Sequence, residues 1–206
     1  MNNKILIPIA VVVAIALIAL LYYTSSEKES LSTMDFSYDS NFNIQSILAE
    51  NDISMSNPLK IKGNSVDQYC KFFSDDSIQK SIQYCTSTEL TDSDGKFVGN
   101  IHMVGDNDHP FAVLGIIQTD PFFTELDSVK LVSNAMIVSL VCDCWNEKKP
   151  GGFETVSAWI DAAKSHHLEA KKITSKSEID GLAKKKMVIE ITTNTEGYLW
   201  KFIVTN

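Results

Sequence analysis

The uncharged run from Ile5 to Tyr23 (ILIPIAVVVAIALIALLYY) constrains this chain more than any other feature. It is roughly 19 residues long, and at about 1.5 Å per residue a helix of that length just crosses a hydrocarbon core of about 30 Å. It exits through Tyr22 and Tyr23, a residue type enriched at membrane–water interfaces. Lys4 precedes the run, and Glu27 and Glu29 outweigh Lys28 after it, which sets the N-terminus in the cytoplasm and everything beyond Tyr23 outside. The alternative is a cleaved signal peptide, whose apolar region spans about 7 to 15 residues and ends in small residues of the A-x-A type. The longer run and the tyrosine exit favour an uncleaved signal anchor over residues 1–23 in a single-pass protein of the cell membrane.

Beyond the anchor, residues 24–64 are rich in Ser, Asn, Asp and Glu, with Pro58 late in the segment. Their apolar clusters are brief (Phe42, Ile44, Ile47, Leu48) and bury too little area to order the segment independently, so it reads as an acidic stalk. Residues 65–206 remain as one extracytoplasmic domain, about 140 residues and large enough for its own core. The formal charge is -8, nearly all of it from residues 24–110, and all 18 basic residues are lysine. Nucleic acid is therefore not an expected partner, and bidentate guanidinium recognition of phosphate or carboxylate is out of reach.

Ser65 to Cys85 reads as helical, with Val66, Tyr69, Phe73, Ile78 and Ile82 at helical spacing and a break at Ser74-Asp75-Asp76. Strands Thr86–Asp92 and Lys96–Val104 flank Asp94-Gly95, a pair favoured in tight turns, and Phe111–Thr119 follows as a third strand. Pro121 opens a long helical pattern with Leu126, Val129, Met136, Ile137, Leu140 and Cys144 on one stripe, ended by Pro150-Gly151-Gly152. A helix over 154–169 and a hairpin of Met187–Thr193 with Tyr198–Val204 complete the chain. The pattern predicts an α+β domain: an antiparallel meander sheet of about five strands with helices packed on one face, preceded by one N-terminal transmembrane helix.

Outside the cytoplasm, Cys70, Cys85, Cys142 and Cys144 point to two structural disulfides. A straight helix over 65–85 would hold Cys70 and Cys85 about 22 Å apart. A Cys142–Cys144 bond would close a very small ring, so the expected pairing ties each of Cys142 and Cys144 to Cys70 or Cys85. The alternatives are a thiol-redox pair or a copper or zinc site that uses Cys142 and Cys144 with His102 or His109. His102 and His109 bracket a polar loop containing Asp106 and Asp108, whose simpler reading is a turn between strands. His166 and His167 diverge by about 100° on a helix and read as surface residues.

Asp92-Ser93-Asp94-Gly95 resembles the start of a calcium loop but lacks the later ligands, and a hairpin turn accounts for it. Lys184-Lys185-Lys186, with Lys171 and Lys172, reads as a solvated strand edge that discourages pairing, or as a contact for acidic partners or lipid headgroups. The chain contains no G-x-S-x-G elbow, Walker loop, H-E-x-x-H or G-x-G-x-x-G, so no residue is assigned a catalytic role.

The opening MNNKILIPIAVVVAIALIALLYY, with the acidic stretch behind it in a chain without arginine, resembles small exported proteins of ammonia-oxidising archaea. CKFFSDDSIQKSIQYC and LVCDCWNEKKPGG are similar to stretches of such proteins, to which no function is attached. The resemblance implies an archaeal cell envelope and a copper-dependent way of life, and carries no residue roles. The expected function is a membrane-tethered binding or accessory module with a protein partner at the cell envelope and no resident cofactor. The copper or thiol-redox reading stands second and an enzyme third.

Overall fold

The structure, a computed structural model, describes residues 37–206. The expected transmembrane helix at 5–23 and the first part of the stalk lie outside the described residues. Among the described residues no helix is long and apolar enough to cross a membrane.

The domain is α+β. In chain order it comprises α1 (Ser40–Ala49), β1 (Ser54–Met55), β2 (Leu59–Lys62), α2 (Val66–Tyr69), α3 (Asp76–Ser81), β3 (Tyr84–Thr91), β4 (Phe97–Gly105) and β5 (Pro110–Thr119). Then come α4 (Leu126–Leu140), α5 (Trp145–Lys148), α6 (Val156–Ala170), β6 (Thr174–Leu182), β7 (Lys185–Asn194) and β8 (Gly197–Thr205). Two three-stranded meanders, β3–β4–β5 and β6–β7–β8, meet along β5 and β8 at the centre of one antiparallel sheet. Both β1 and β2 pair with the outer edge of β3. The sheet therefore has eight strands rather than about five. The sequence reading missed β1, β2 and β6, because two are very short and β6 (TSKSEIDGL) carries polar residues on both faces.

Period-2 alternation divides the sheet into two cores. On one face Ile101, Met103, Val113, Ile117, Met187, Ile189, Trp200 and Phe202 pack with Ile44 and Leu48 of α1, the α4 stripe, and Trp159 and Ile160 of α6. Gly115 permits that approach: a Cβ there would stand 2.8 Å from the Met136 sulfur of α4. On the other face Cys85, Val104, Ala112, Leu114 and Ile203 are covered by Val66, Cys70 and Ile82 from the segment between β2 and β3. The three long helices thus share one face, whereas α2 lies on the opposite one.

The segment read as a stalk needs correcting from Ser40 onward. Asn41, Ile44 and Leu48 fall at i, i+3 and i+7 and are buried, and Ile53 and Ile61 join the two cores. This helix gains its stability by docking on the sheet, not from its own composition. The lysine cluster also needs correcting. Lys185 is 3 % exposed and its ammonium donates to the Asn206 side chain, because β7 lies inside the sheet and β6 forms the edge. The 91–97 turn differs in detail: only Gly95 has positive φ (77°), while the Asp92 carboxylate accepts the amides of Asp94 and Lys96. That arrangement is a longer loop with one left-handed glycine rather than a two-residue primed turn.

Candidate functional site

The sequence-predicted residues do not assemble into one site. Cys70 bonds to Cys85 and Cys142 to Cys144, so the expected long-range pairing is wrong. Two local facts overturn it. The chain leaves α2 at Cys70 and reverses before α3, and Cys85 belongs to β3 rather than to a continuing helix, which brings the two Cα atoms to 6.5 Å. Cys142 and Cys144 follow the end of α4 in non-helical backbone, with Cα atoms 5.2 Å apart, so the divergence expected of helical neighbours does not apply. Among the described residues no cysteine is free and no cluster of three His, Cys, Asp or Glu side chains is suited to a metal. With all four sulfurs paired, the proposed ligand set of Cys142, Cys144, His102 and His109 is not brought together.

His109 is exposed in the β4–β5 hairpin, where its amide and that of Asp108 are held by the Asp106 carboxylate, as a polar turn requires. His102 lies within β4 and packs against Phe72, with ring centroids 4.4 Å apart and its Nδ1 without a hydrogen-bond partner among the described residues. Burial, opposed by a hydrogen bond with the Thr86 backbone, pushes its pKa down to about 4. His167 is not a surface residue: it is 2 % exposed, and its ring nitrogens sit 2.8 Å from the hydroxyls of Ser175 and Thr193.

His102 carries a pH prediction. Its folded pKa lies below the unfolded value of 6.5, so the unfolded chain binds more protons across that window. Stability should be complete above about pH 6.5 and fall by about 3 kcal/mol as pH drops to 4. Urea unfolding of the wild type and of His102→Leu between pH 7.5 and 4 checks this. The variant should lose that part of the slope, while His167, also pushed down by burial, keeps its own part in both proteins. The Glu125 carboxyl, held at about 2 chiefly by a hydrogen bond from Lys96, loses its contribution only as pH falls below its ordinary range of about 4.5.

The feature that the sequence did not reveal is a cleft of about 310 Å³ between the start of α1, the β1–β2 connection and β3. Pairing of β2 with β3 sets Lys60 opposite Thr86 and Lys62 opposite Tyr84. The alternation that sends Ile61 to the second core therefore sends both lysines to the cleft. The Lys62 ammonium stands 5.1 Å above the Tyr84 ring, and Tyr38 meets that ring edge-on at 4.7 Å. The Tyr38 hydroxyl donates to the Asp106 carbonyl (2.6 Å), and burial, the neighbouring Tyr84 and two aspartates push its pKa upward, so it stays a neutral phenol.

At the floor, Asn41 and Thr86 are 5 % and 3 % exposed. The Asn41 amide nitrogen donates to the Thr88 hydroxyl (3.0 Å), while Asn41 Oδ1 and Thr86 Oγ1 have no hydrogen-bond partner among the described residues. Buried polar atoms left in this state cost about 1–3 kcal/mol each. Both residues line the cleft, but these two atoms are themselves shielded from its space, so a ligand there reaches them only if the Asn41 or Thr86 side chain turns toward it. The only signal in the sequence was the alternation of Lys60, Ile61 and Lys62, set within a segment whose composition argued against any fold.

The two disulfides differ in setting. Cys70 and Cys85 are fully buried and separated by 15 residues, a loop worth about 3 kcal/mol in chain entropy. Cys142 and Cys144 are both partly exposed and separated by 2, worth about 1 kcal/mol on the same reckoning.

Comparison with protein-family models, curated proteins and solved structures finds no match to this chain.

Proposed function

We propose that this protein is a membrane-tethered extracytoplasmic binding module whose ligand site is the cleft between α1 and β3. The observation that carries the reading is the pair of buried, unpartnered polar atoms, Asn41 Oδ1 and Thr86 Oγ1, beside that cleft. Their chemistry selects the ligand. Asn41 Oδ1 needs a donor, an O–H or N–H, and the Thr86 hydroxyl both donates and accepts. Tyr38 and Tyr84 contribute aromatic surface, and Lys60 and Lys62 add two cations from β2. A small hydroxylated or amide-bearing carboxylate satisfies all of these at once. The uncharged run at 5–23 supports the tether.

The test is a thermal-shift and NMR titration with sorbitol, gluconate, glucuronate and an N-acetyl amino acid. The carboxylates are expected to raise Tm and to move the amide resonances of Asn41 and Thr86, and sorbitol to act more weakly. Thr86→Val should abolish the response while stabilising the free protein by about 1 kcal/mol, because it removes a buried hydroxyl that has no partner. A Thr86→Val protein that is less stable than the wild type would give that hydroxyl a structural role and sink the reading. The tether is checked separately: intact mass of detergent-extracted protein should include residues 1–23.

A further inference from the structure

A second site, remote in sequence from the cleft, draws on a different observation: a small cavity bordered by one of the two disulfides. Cys142 and Cys144 follow α4 directly, and Cys142 lines a surface cavity of about 230 Å³ together with Asn134, Asn146, Thr155 and Ser157. This bond spans a single residue and both of its cysteines are partly exposed. The Cys70–Cys85 bond shows the opposite on each count: it spans 15 positions and both cysteines are 0 % exposed. A bridge that restrains so little chain contributes little to folding, and accessibility is what thiol–disulfide exchange requires of the sulfur under attack. We propose that Cys142–Cys144 is a two-electron exchange centre that accepts electrons from dithiols of other polypeptides.

The cavity assigns the order of events. A donor thiolate enters and attacks the Cys142 sulfur, because Cys142 and not Cys144 lines the cavity. The S–S bond breaks, its electron pair leaves on Cys144, and Cys142 carries the mixed disulfide. The donor's second thiolate then attacks the donor sulfur of that mixed disulfide and releases Cys142 as a thiolate. In sum the donor dithiol becomes a disulfide, and Cys142 and Cys144 take up two electrons and the two protons the donor lost. Asn134, Asn146, Thr155 and Ser157 provide hydrogen-bonding groups for the backbone around the donor cysteine, and the Asp143 carboxylate with apolar side chains completes the lining. Trp145, adjacent in sequence, is buried against Trp159 with ring centroids 5.7 Å apart and gives a fluorescence reading of the change.

The experiment exposes the oxidised full chain to a peptide with two cysteines, quenches with acid at intervals, alkylates, and maps the thiols by mass spectrometry. The expected result is opening of Cys142–Cys144 at least 100-fold faster than Cys70–Cys85, stoichiometric oxidation of the peptide, an early peptide adduct on Cys142, and a matching change in tryptophan emission. C142S/C144S should leave the peptide reduced while keeping the Cys70–Cys85 bond. Cys142–Cys144 opening no faster than Cys70–Cys85, or peptide recovered as the dithiol, overturns the proposal. The rate comparison is made within the wild-type chain and does not depend on how the variant folds.

Discussion

Replacing Leu48 by alanine is expected to destabilise the domain by about 2–5 kcal/mol. Leu48 is fully buried, and with Ile44 it carries the contact of α1 with α4 and the sheet. The substitution removes its buried methyl groups and leaves a void that the surrounding strands and helices fill only in part. Phe42, two residues before Ile44 in the same helix, is 65 % exposed, and Phe42→Ala should shift stability by no more than about 0.5 kcal/mol. Chemical denaturation of the two variants beside the wild type tests whether residues 40–62 belong to the domain. A stalk hanging free of the fold would tolerate both changes equally. Because α1 also forms one wall of the cleft, Leu48→Ala should weaken ligand binding in step with the loss of local order.

The second large effect is expected from the buried disulfide. C70A/C85A should lower stability by about 4 kcal/mol: about 3 from the restored freedom of the unfolded loop and the remainder from lost packing of two buried sulfurs. The bond fastens the segment covering the second sheet face to β3, directly behind Thr86 of the cleft. Loosening it uncovers Val104, Ala112 and Leu114, so the variant should also bind more of a hydrophobic dye. C142S/C144S should cost only about 1 kcal/mol. Equal losses from the two double substitutions, measured by denaturation under non-reducing conditions, would contradict the division into a structural bridge and an exchangeable one.

The fold class was legible because it rests on local pattern. The apolar stripe of α4 and the runs of strand-forming residues in β3, β4, β5, β7 and β8 are local signals, and short turns force neighbouring strands to run antiparallel. Places where burial depends on a distant element were not legible. Asn41, His167 and Lys185 are polar residues that are buried with hydrogen-bond partners outside their own elements: Thr88 for Asn41, Ser175 and Thr193 for His167, Asn206 for Lys185. The disulfide pairing failed for the same reason, since spacing alone does not reveal that the chain reverses after Cys70.

By itself, then, the sequence determined what depends on neighbours a few residues apart: an uncharged run of membrane-spanning length, an α+β order of elements, and cysteines suited to an oxidising compartment. The tertiary structure alone decided which cysteines meet, that residues 40–62 are part of the domain, and that Lys60, Lys62, Tyr84, Thr86 and Asn41 converge on one cleft. The physical reason is that hydrophobic periodicity reports the face on which a side chain lies, whereas a site is made where faces of different elements come together. That meeting is set by strand order and register, and the pairing of β2 with β3 has no counterpart in the local pattern of either strand.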